Sequence, residues 1–240
     1  MLAPSFIPPA QLAHRVQTDG YATLSPAGVC ELAHCELAKL EALKSSWDNL
    51  PLDNFLKDGG RYRRRRHSSF VVNGSDIRQT PHRAHWQPLD YNALHCGMQR
   101  LFEPIAPATV SQPVWSQLLL AVAEICSTIK SVQPWYVEAH QFRIDTTGGI
   151  GRPTPEGAHR DGVDFVAILL VARKQVKGGE SRIFETAGTT GQRFTLTQPW
   201  TLLLLDDERV MHESTPIQPT AESGYRDTLV LTYRAHGFQE

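Results

Sequence analysis

Residues 159–171 read His-Arg-Asp-Gly-Val-Asp-Phe-Val-Ala-Ile-Leu-Leu-Val. The apolar run from Val163 to Val171 predicts a strand, and the polar triplet comes just before it. Side chains two residues apart point to the same face of an extended segment, so His159 and Asp161 can bind one ion. His212 lies 51 residues beyond Asp161, just after another predicted strand. These three residues are therefore the first candidates for a metal site.

Two histidines and one aspartate make up the facial triad of non-haem Fe(II) oxygenases, which leaves three coordination positions open. The triplet by itself is weak support, because the chain contains ten histidines and most histidines are not metal ligands. Arg226 and Thr228 add to it, since both open the last predicted strand and share one face. A guanidinium binds a carboxylate through two parallel hydrogen bonds, to which a hydroxyl can add a third. This pair therefore suits the far carboxylate of 2-oxoglutarate.

Short strands dominate the second half of the chain, and Gly and Pro turns separate them, which favours a sandwich or a barrel. The first third is instead predicted to be helical around one strand. Ser25-Pro26 is a predicted N-terminal cap, a helix follows over 29–47, and a second helix covers 113–132. The predicted strands are 136–144, 163–171, 181–184, 194–196, 201–205 and 228–233.

The composition limits the class of protein. Of 240 residues, 41% are hydrophobic and 20% are charged, and the net charge is −1. This is enough apolar material for a core, and the near-neutral charge argues against a nucleic-acid binder. The four cysteines lack CxxC spacing, and no apolar run approaches the ~20 residues of a membrane span. We expect a cytoplasmic protein with one domain over 1–240, in which 1–132 packs on a β core at 133–240.

Six stretches resemble one bacterial family of Fe(II)/2-oxoglutarate-dependent dioxygenases. They are 50–53 (LPLD), 61–65 (RYRRR), 91–94 (YNAL), 140–144 (HQFRI), 159–162 (HRDG) and 225–229 (YRDTL). The family includes hydroxylases of free L-amino acids, such as L-isoleucine dioxygenase, and proteins linked to biofilm formation. The resemblance covers about residues 20–238.

The resemblance implies a mainly β fold with flanking helices, a double-stranded β-helix of the jelly-roll or cupin-like type. It implies that His159, Asp161 and His212 hold Fe(II) as the catalytic centre. The keto-acid end of 2-oxoglutarate would chelate the iron, and dioxygen would take the last position. Arg226 and Thr228 would hold the far carboxylate. The implied reaction converts 2-oxoglutarate to succinate and CO₂ and hydroxylates a C–H bond of the substrate.

Gln141 and Arg143 alternate on a predicted strand, so they share a face. We expect this face to look into the site, where Arg143 would hold a substrate carboxylate and Gln141 would contact 2-oxoglutarate or substrate. The alternative for Arg143 is an ion pair with Asp145 or Glu138 on the outer face.

The run from Arg61 to Arg66 contains five arginines. On a strand, Arg61, Arg63 and Arg65 would share one face. We favour a solvated strand whose arginines pair with local acids such as Asp53. Contact of one arginine with the substrate or 2-oxoglutarate is the second possibility, and RNA binding is the third.

Two further features of the sequence, a group of histidines and a glycine-rich segment, are not expected to bind a metal ion or a phosphate. His82, His85 and His95 surround Trp86, but their spacing fits no standard ligand pattern, so a second metal site is not expected. The segment Gly148–Gly151 lacks the strand–helix context of a phosphate loop. We interpret it as a mobile lid or a disordered connection over the mouth of the site.

The leading hypothesis is a hydroxylase of a small amphipathic substrate, with a free aliphatic amino acid as the favoured class. One alternative is a cupin-type enzyme with another metal, against which the Arg226–Thr228 pair argues. A second is a non-catalytic sensor or biofilm-related regulator. A third is a hydroxylase of peptide side chains, which would need a broad open groove. We expect no nucleic-acid or membrane partner and allow for a homodimer.

Overall fold

The computed structural model describes residues 2–86, 98–188 and 190–239. The helices are α1 (Leu12–Asp19), α2 (Pro26–Leu32), α3 (Leu37–Ala42), α4 (Pro107–Val110) and α5 (Pro113–Lys130), with 3₁₀ turns at Pro9–Gln11 and Leu43–Trp47. The strands are β1 (Tyr21–Leu24), β2 (Arg63–Asn73), β3 (Asp76–Gln79), β4 (Trp135–Asp145), β5 (Phe165–Lys174), β6 (Val176–Gly178), β7 (Ser181–Glu185), β8 (Gly191–Phe194), β9 (Leu202–Asp206), β10 (Val210–Ser214), β11 (Ile217–Pro219) and β12 (Tyr225–Arg234). None of the described helices is both long and apolar enough to cross a membrane.

Two sheets and a short strand pair build the β core. The major sheet has the strand order β1-β9-β5-β12-β4-β2-β3, and its strand pairs are antiparallel. The minor sheet has the order β10-β7-β8, and β11 pairs with β6. Apolar residues of both sheets pack against each other in one cluster. This confirms the predicted mainly β fold with flanking helices, in the jelly-roll arrangement of facing sheets.

The apolar run of β5 is buried on both faces. Phe165 and Leu169 belong to the large core between the major sheet and the helices, whereas Val166 and Leu170 pack between the two sheets. The long helix α5, predicted over 113–132, supplies much of the covering layer on the helix side. Because strand residues alternate between faces, the opposite face of the central strands is left to line a cavity.

The predicted N-terminal helix is interrupted. Ser25 caps α2 as expected, and its hydroxyl accepts a hydrogen bond from Gly28 N at 3.2 Å. The chain leaves the helix at His34, whose φ is 48°, before α3 begins. A left-handed residue of this kind ends a right-handed helix, so the prediction of one helix over 29–47 is wrong.

The six predicted strands correspond to β4, β5, β7, β8, β9 and β12, and their ends shift by at most three residues. The sequence patterns did not predict the short strands β1, β3, β6, β10 and β11. This matters for the site, because His212 lies on β10. A strand of five residues with half-buried positions carries too weak a pattern to recognise alone.

Candidate active site

A backbone bridge holds two histidines side by side. His159 lies in the loop between β4 and β5, and His212 lies on β10. His159 N donates to His212 O at 3.1 Å, and His212 N donates to His159 O at 2.9 Å. The two ring centroids are consequently 4.7 Å apart. The bridge therefore ties the loop to the minor sheet at the candidate metal site.

Asp161 completes the predicted group of three. Its two carboxylate oxygens lie 3.8 Å from His159 Nε2 and 3.7 Å from His212 Nε2. His159 Nδ1 donates to Gly157 O at 2.9 Å, which leaves the lone pair on Nε2 for a metal ion. The ligand atoms all lie within 4.8 Å of one another. Two imidazoles and one carboxylate around a common centre fit Fe(II) in a facial triad.

Asp207 shapes the turn that contains Asp161. Its carboxylate accepts hydrogen bonds from the backbone N–H groups of residues 161–163 at 2.8 to 3.1 Å. Arg160 Nε also donates to the backbone oxygen of Asp207. Burial and the charge of Asp161 raise the pKa of Asp207 to about 7. Asp207, which sequence reasoning did not single out, thus holds the candidate metal ligand in place.

The two imidazoles have opposite pKa shifts. Burial lowers the pKa of His159, but the carboxylates of Asp161 and Glu156 outweigh it, so the pKa is raised. Burial and the neighbouring His159 lower the pKa of His212 to about 4. Neutral imidazole is the form that binds a metal ion, so His212 is already in the required state.

Arg226 and Thr228 lie on β12 and line the same cavity as the three candidate ligands. Arg226 is only 5% exposed, and among the described residues its Nε has no hydrogen-bond partner. Burial and the Arg173 guanidinium lower the pKa of Arg226 to about 10. A buried cation of this kind is costly unless an anion pairs with it. The structure therefore provides a place for a carboxylate beside the candidate metal site.

A tight glycine turn lies beside Arg173 and Arg226. Gly178 has a φ of 81°, and a Cβ there would lie 2.1 Å from Pro216 O. Gly179 has a φ of 66°, and its Cβ would lie 3.0 Å from Ile217 Cγ2 and 3.1 Å from Arg173 Nη1. Glycine adopts such conformations at little cost, so a larger residue at this turn would be strained and would crowd Arg173, the neighbour of Arg226.

Gln141 and Arg143 share a face, as predicted, but the face is the wrong one. The residues of β4 that line the cavity are the even-numbered ones in the segment 140–144. Gln141 is fully buried on the other side, where its Nε2 donates to Ser46 Oγ at 2.7 Å. This placement contradicts the predicted contact of Gln141 with 2-oxoglutarate or substrate.

Arg143 forms ion pairs on the helix-covered face. Its Nε and Nη2 donate to the two carboxylate oxygens of Asp227 at 2.8 and 2.7 Å. Its Nη2 also donates to Asp48 at 3.2 Å. The predicted role in holding a substrate carboxylate is thereby contradicted. The alternative of an outer ion pair is right in kind, but the partners differ from the expected Asp145 and Glu138.

Two members of the arginine run reach the cavity. Arg63 and Arg65 lie opposite Ile144 and Phe142 of β4, and both line the cavity. They are 5% and 3% exposed, so the prediction of a solvated strand is wrong for this face. The expected ion pair does exist, because Arg63 Nε donates to Asp53 at 2.7 Å. The alternation of Arg61, Arg63 and Arg65 along the sequence was the pattern that could have indicated that one face of this strand lines the site.

Four buried side chains gather beside Arg65. The ligand atoms of His67, His85, Glu138 and His140 lie within 4.8 Å of one another. His67 Nε2 and His85 Nδ1 donate to the two oxygens of Glu138, at 3.1 and 3.0 Å. Arg65 Nη2 donates to His140 Nδ1 at 2.7 Å. Burial lowers the pKa of all three histidines, for His85 to about 4, so this group is a network of neutral imidazoles around one carboxylate.

The sequence grouping of His82, His85 and His95 does not reflect this network. His82 Nε2 donates instead to Phe102 O at 2.8 Å. His95 lies outside the described residues, as does the stretch 91–94 that contributed to the family resemblance. Pairing between β2 and β4 places His67 opposite His140, whereas His85 lies outside both strands and exchanges backbone hydrogen bonds with Arg100.

The segment Gly148–Gly151 follows β4. Gly151 exchanges two backbone hydrogen bonds with Ile217, at 3.0 and 2.8 Å. Gly148 and Gly149 are exposed. A role of this segment as a lid stays a prediction.

Known proteins match this chain in both sequence and structure. A family model of 2OG-Fe dioxygenases matches residues 44–232. The crystal structure of a bsmA homolog from Methylobium petroleophilum PM1 is 48% identical with a TM-score of 0.94, over 99% of this chain and 97% of the other. No curated protein matches significantly.

Two more distant structures share the fold. IDO from Bacillus thuringiensis is 18% identical with a TM-score of 0.78, over 97% of this chain and 100% of the other. The Fe(II)/(alpha)ketoglutarate-dependent dioxygenase TqaL is 20% identical with a TM-score of 0.73, over 95% of this chain and 87% of the other.

The matched range includes the His-Asp-His group and the buried arginine that faces it. It covers well over half of the chain. The donor set and the family agree on the same cofactors, namely Fe(II), 2-oxoglutarate and dioxygen. This chain is therefore an oxidoreductase that belongs to the 2OG-Fe dioxygenase family.

Proposed function

We propose that this dioxygenase hydroxylates a free aliphatic L-amino acid. In this proposal His159, Asp161 and His212 hold Fe(II), and Arg226 and Thr228 hold the far carboxylate of 2-oxoglutarate. The observation that carries it is that the three donors and Arg226 line one cavity, and that Arg226 Nε has no hydrogen-bond partner in the part of the chain that the structure describes.

The bound iron supplies oxidative decarboxylation of 2-oxoglutarate and oxygen insertion into a C–H bond. The protein positions the reactants. Arg226 offers a rigid fork to one end of the 2-oxoglutarate, which sets the direction of its other end. Asp207 fixes the turn around Asp161, so the site is preorganised before substrate enters.

The walls of the cavity support an amphipathic substrate. Ile168, Leu203 and Val230 form an apolar side that excludes water and can contact an aliphatic side chain. Arg63 and Arg65 give the same cavity a cationic side. A molecule with an aliphatic part and a carboxylate satisfies both sides, as a free amino acid does.

The test is a screen of the twenty L-amino acids for substrate-stimulated succinate formation with Fe(II), 2-oxoglutarate and oxygen. We expect at least one aliphatic amino acid to stimulate succinate formation. Asp161→Ala should reduce the stimulated rate by at least about 100-fold, because it removes the only carboxylate of the candidate triad. Asp76→Ala is the matched control, since Asp76 is an exposed residue of β3.

Full turnover by Asp161→Ala would overturn the ligand assignment. Stimulation by peptides but by no free amino acid would instead favour the alternative of a peptide hydroxylase. The single domain, the cytoplasmic location, the homodimer and the link to biofilm formation stay predictions.

A further inference from the structure

We infer that Arg63 and Arg65 form a second anion subsite in the cavity, which binds the carboxylate of the substrate. This inference rests on the proposed function, because it assigns the substrate a free carboxylate group. It places recognition on β2, on the opposite side of β4 from Arg226.

Register separates the new subsite from the 2-oxoglutarate arm. Arg63 lies opposite Ile144, and Ile144 lies opposite Arg226 on the other side. Arg65 likewise lies opposite Phe142 on one side of β4, and Thr228 lies opposite Phe142 on the other side. Two strand spacings of 4.7–4.9 Å put the rows about 10 Å apart. Two anions can therefore bind to the same face of the sheet without sharing a guanidinium.

Internal contacts hold both guanidiniums in place. Arg63 Nε donates to Asp53 at 2.7 Å, and Arg65 Nη2 donates to His140 Nδ1 at 2.7 Å. Arg65 also lies between two aromatic rings, with its Cζ 3.8 Å from the Phe102 centroid and 4.5 Å from the Phe142 centroid. These contacts fix the planes of the guanidiniums before a ligand arrives, which lowers the entropy cost of binding.

Each guanidinium keeps an unsatisfied donor. Arg63 Nη2 and Arg65 Nε are buried, and neither has a hydrogen-bond partner among the described residues. Leaving a buried charged donor unsatisfied is unfavourable, and a planar carboxylate is the acceptor that fits such groups. A ligand carboxylate would therefore complete a site that the chain leaves incomplete.

The charges around the subsite favour an anion over a metal ion. Two further guanidiniums lie near Arg63 and Arg65: Arg83, whose Nη1 lies 3.6 Å from Glu138, and Arg100, which lines the same cavity. Among the described residues, the carboxylates of Asp53 and Glu138 oppose these four cations, and Glu138 already accepts hydrogen bonds from His67 and His85. The net positive charge disfavours a divalent cation among the neighbouring histidines. We therefore interpret the imidazole network as the support of Arg65.

The test compares amino acids with their carboxamides, which keep the shape of the acid but lack its charge. Binding of L-leucine, L-isoleucine and L-methionine and of the three amides is measured by anaerobic calorimetry on the protein with Fe(II) and 2-oxoglutarate. The parent protein should bind at least one acid at least tenfold more tightly than its amide. Arg65→Gln should raise the Kd of that acid at least tenfold and bring the ratio close to one.

Two further variants sharpen the comparison. Arg65→Lys keeps the charge but loses the fork, so it should bind the acid with intermediate affinity. Arg64→Gln is the matched control, because Arg64 lies on the opposite face of β2, is 43% exposed and pairs with Asp145 at 3.4 Å. It should keep the parental preference. If the Arg65 variants fail to fold, Arg63→Gln takes their place and should show the same loss of preference, because Arg63 also has an unsatisfied donor.

Equal binding of acid and amide by the parent protein, or a preference that survives in Arg65→Gln, would overturn the subsite. So would the absence of binding by all three acids. Succinate formation is measured in parallel to separate the two proposals. A protein that discriminates acid from amide but forms no succinate keeps the subsite and loses the proposed activity. A protein that forms succinate without this discrimination loses the subsite alone.

Discussion

At the residue scale, a few buried guanidiniums define what the cavity can bind, because each has an N–H group without a hydrogen-bond partner among the described residues. Arg226 sits beside another cation, Arg173, whose Nη2 donates to two backbone carbonyls at 3.1 and 2.8 Å. The two positive charges repel each other, so an anion that binds between or beside them is favoured. Most buried charges in folded proteins are paired, and exceptions of this kind are typical of binding sites.

Replacement of Arg226 by lysine tests its role toward 2-oxoglutarate. The lysine keeps the charge but cannot form two parallel hydrogen bonds, so we expect KM for 2-oxoglutarate to rise roughly 10- to 100-fold. Steady-state kinetics measures this. Arg234→Lys, at the far end of the same strand, should leave KM within about twofold of the parent. An unchanged KM in Arg226→Lys would contradict the assignment.

Replacement of His85 by asparagine tests the imidazole network through pH. Burial lowers the folded-state pKa of His85 to about 4 from 6.5, so the unfolded chain binds a proton that the folded protein does not. The stability from neutral His85 is therefore complete above pH 6.5 and is lost as the pH falls toward 4. This difference between the unfolded-state and folded-state pKa values corresponds to a loss of roughly 3 kcal/mol in the free energy of unfolding at low pH.

The measurement is the free energy of unfolding in urea from pH 7.5 to 4. His85→Asn, which keeps a donor near the position of Nδ1, should show a smaller loss on acidification than the parent. His14→Asn, at an exposed position of α1, should show the parental loss. A parental slope in His85→Asn would mean that His85 does not titrate as described.

At the element scale, alternation along single strands decides which side chains meet. The same rule that pairs Arg226 with Thr228 on the cavity face puts Asp227 between them on the helix face, where it binds Arg143. In β2 the rule places Arg63 inside and Arg64 outside. A shift of one residue in the register of either strand would exchange these roles.

Removal of Arg143 should therefore affect stability rather than substrate binding. Asp227 is 1% exposed, so Arg143→Ala leaves a buried carboxylate with one partner fewer. We expect the free energy of unfolding to fall by about 3 kcal/mol, measured by urea denaturation. KM for the amino acid should stay within about twofold. Arg78→Ala, at an exposed position of β3, should change neither quantity. A large rise in KM with unchanged stability would restore the substrate role.

At the scale of the whole molecule, the site joins parts that the chain keeps far apart. Arg226 comes from the major sheet, His212 from the minor sheet, and His159 and Asp161 from the loop between β4 and β5. The His159–His212 bridge is the backbone contact that closes this arrangement. Ligands that bind all three parts should therefore stabilise the fold as a unit.

Thermal unfolding with Mn(II) and 2-oxoglutarate tests this linkage. At ligand concentrations of about 100 times Kd, the free energy of unfolding should rise by about 2.7 kcal/mol. For a chain of this size that corresponds to an increase in Tm of roughly 5–10 °C. Asp161→Ala should lose most of the increase, and Asp76→Ala should keep it. Equal shifts in both variants would show that the metal binds elsewhere.

The candidate metal ligands and the Arg226–Thr228 pair could be predicted from the sequence, because each depends on local geometry. Side chains at i and i+2 on a strand share a face whatever the rest of the fold does. The β-rich second half and helix α5 follow from local periodicity in the same way. Local pattern also placed Gln141 and Arg143 on one face and Arg63 and Arg65 on another.

Which of two faces looks into the cavity was decided only by the tertiary structure. Alternation along a strand allows either face to point toward the cavity. The choice between the two faces depends on which side of the sheet the helices cover. For this reason the sequence pattern predicts Arg143 on the cavity face, whereas the structure places Arg63 and Arg65 there instead. The imidazole network likewise depends on pairing between β2 and β4, residues some 70 positions apart. The sequence by itself thus determined the chemistry of the iron site, and long-range strand pairing determined the wall that faces it.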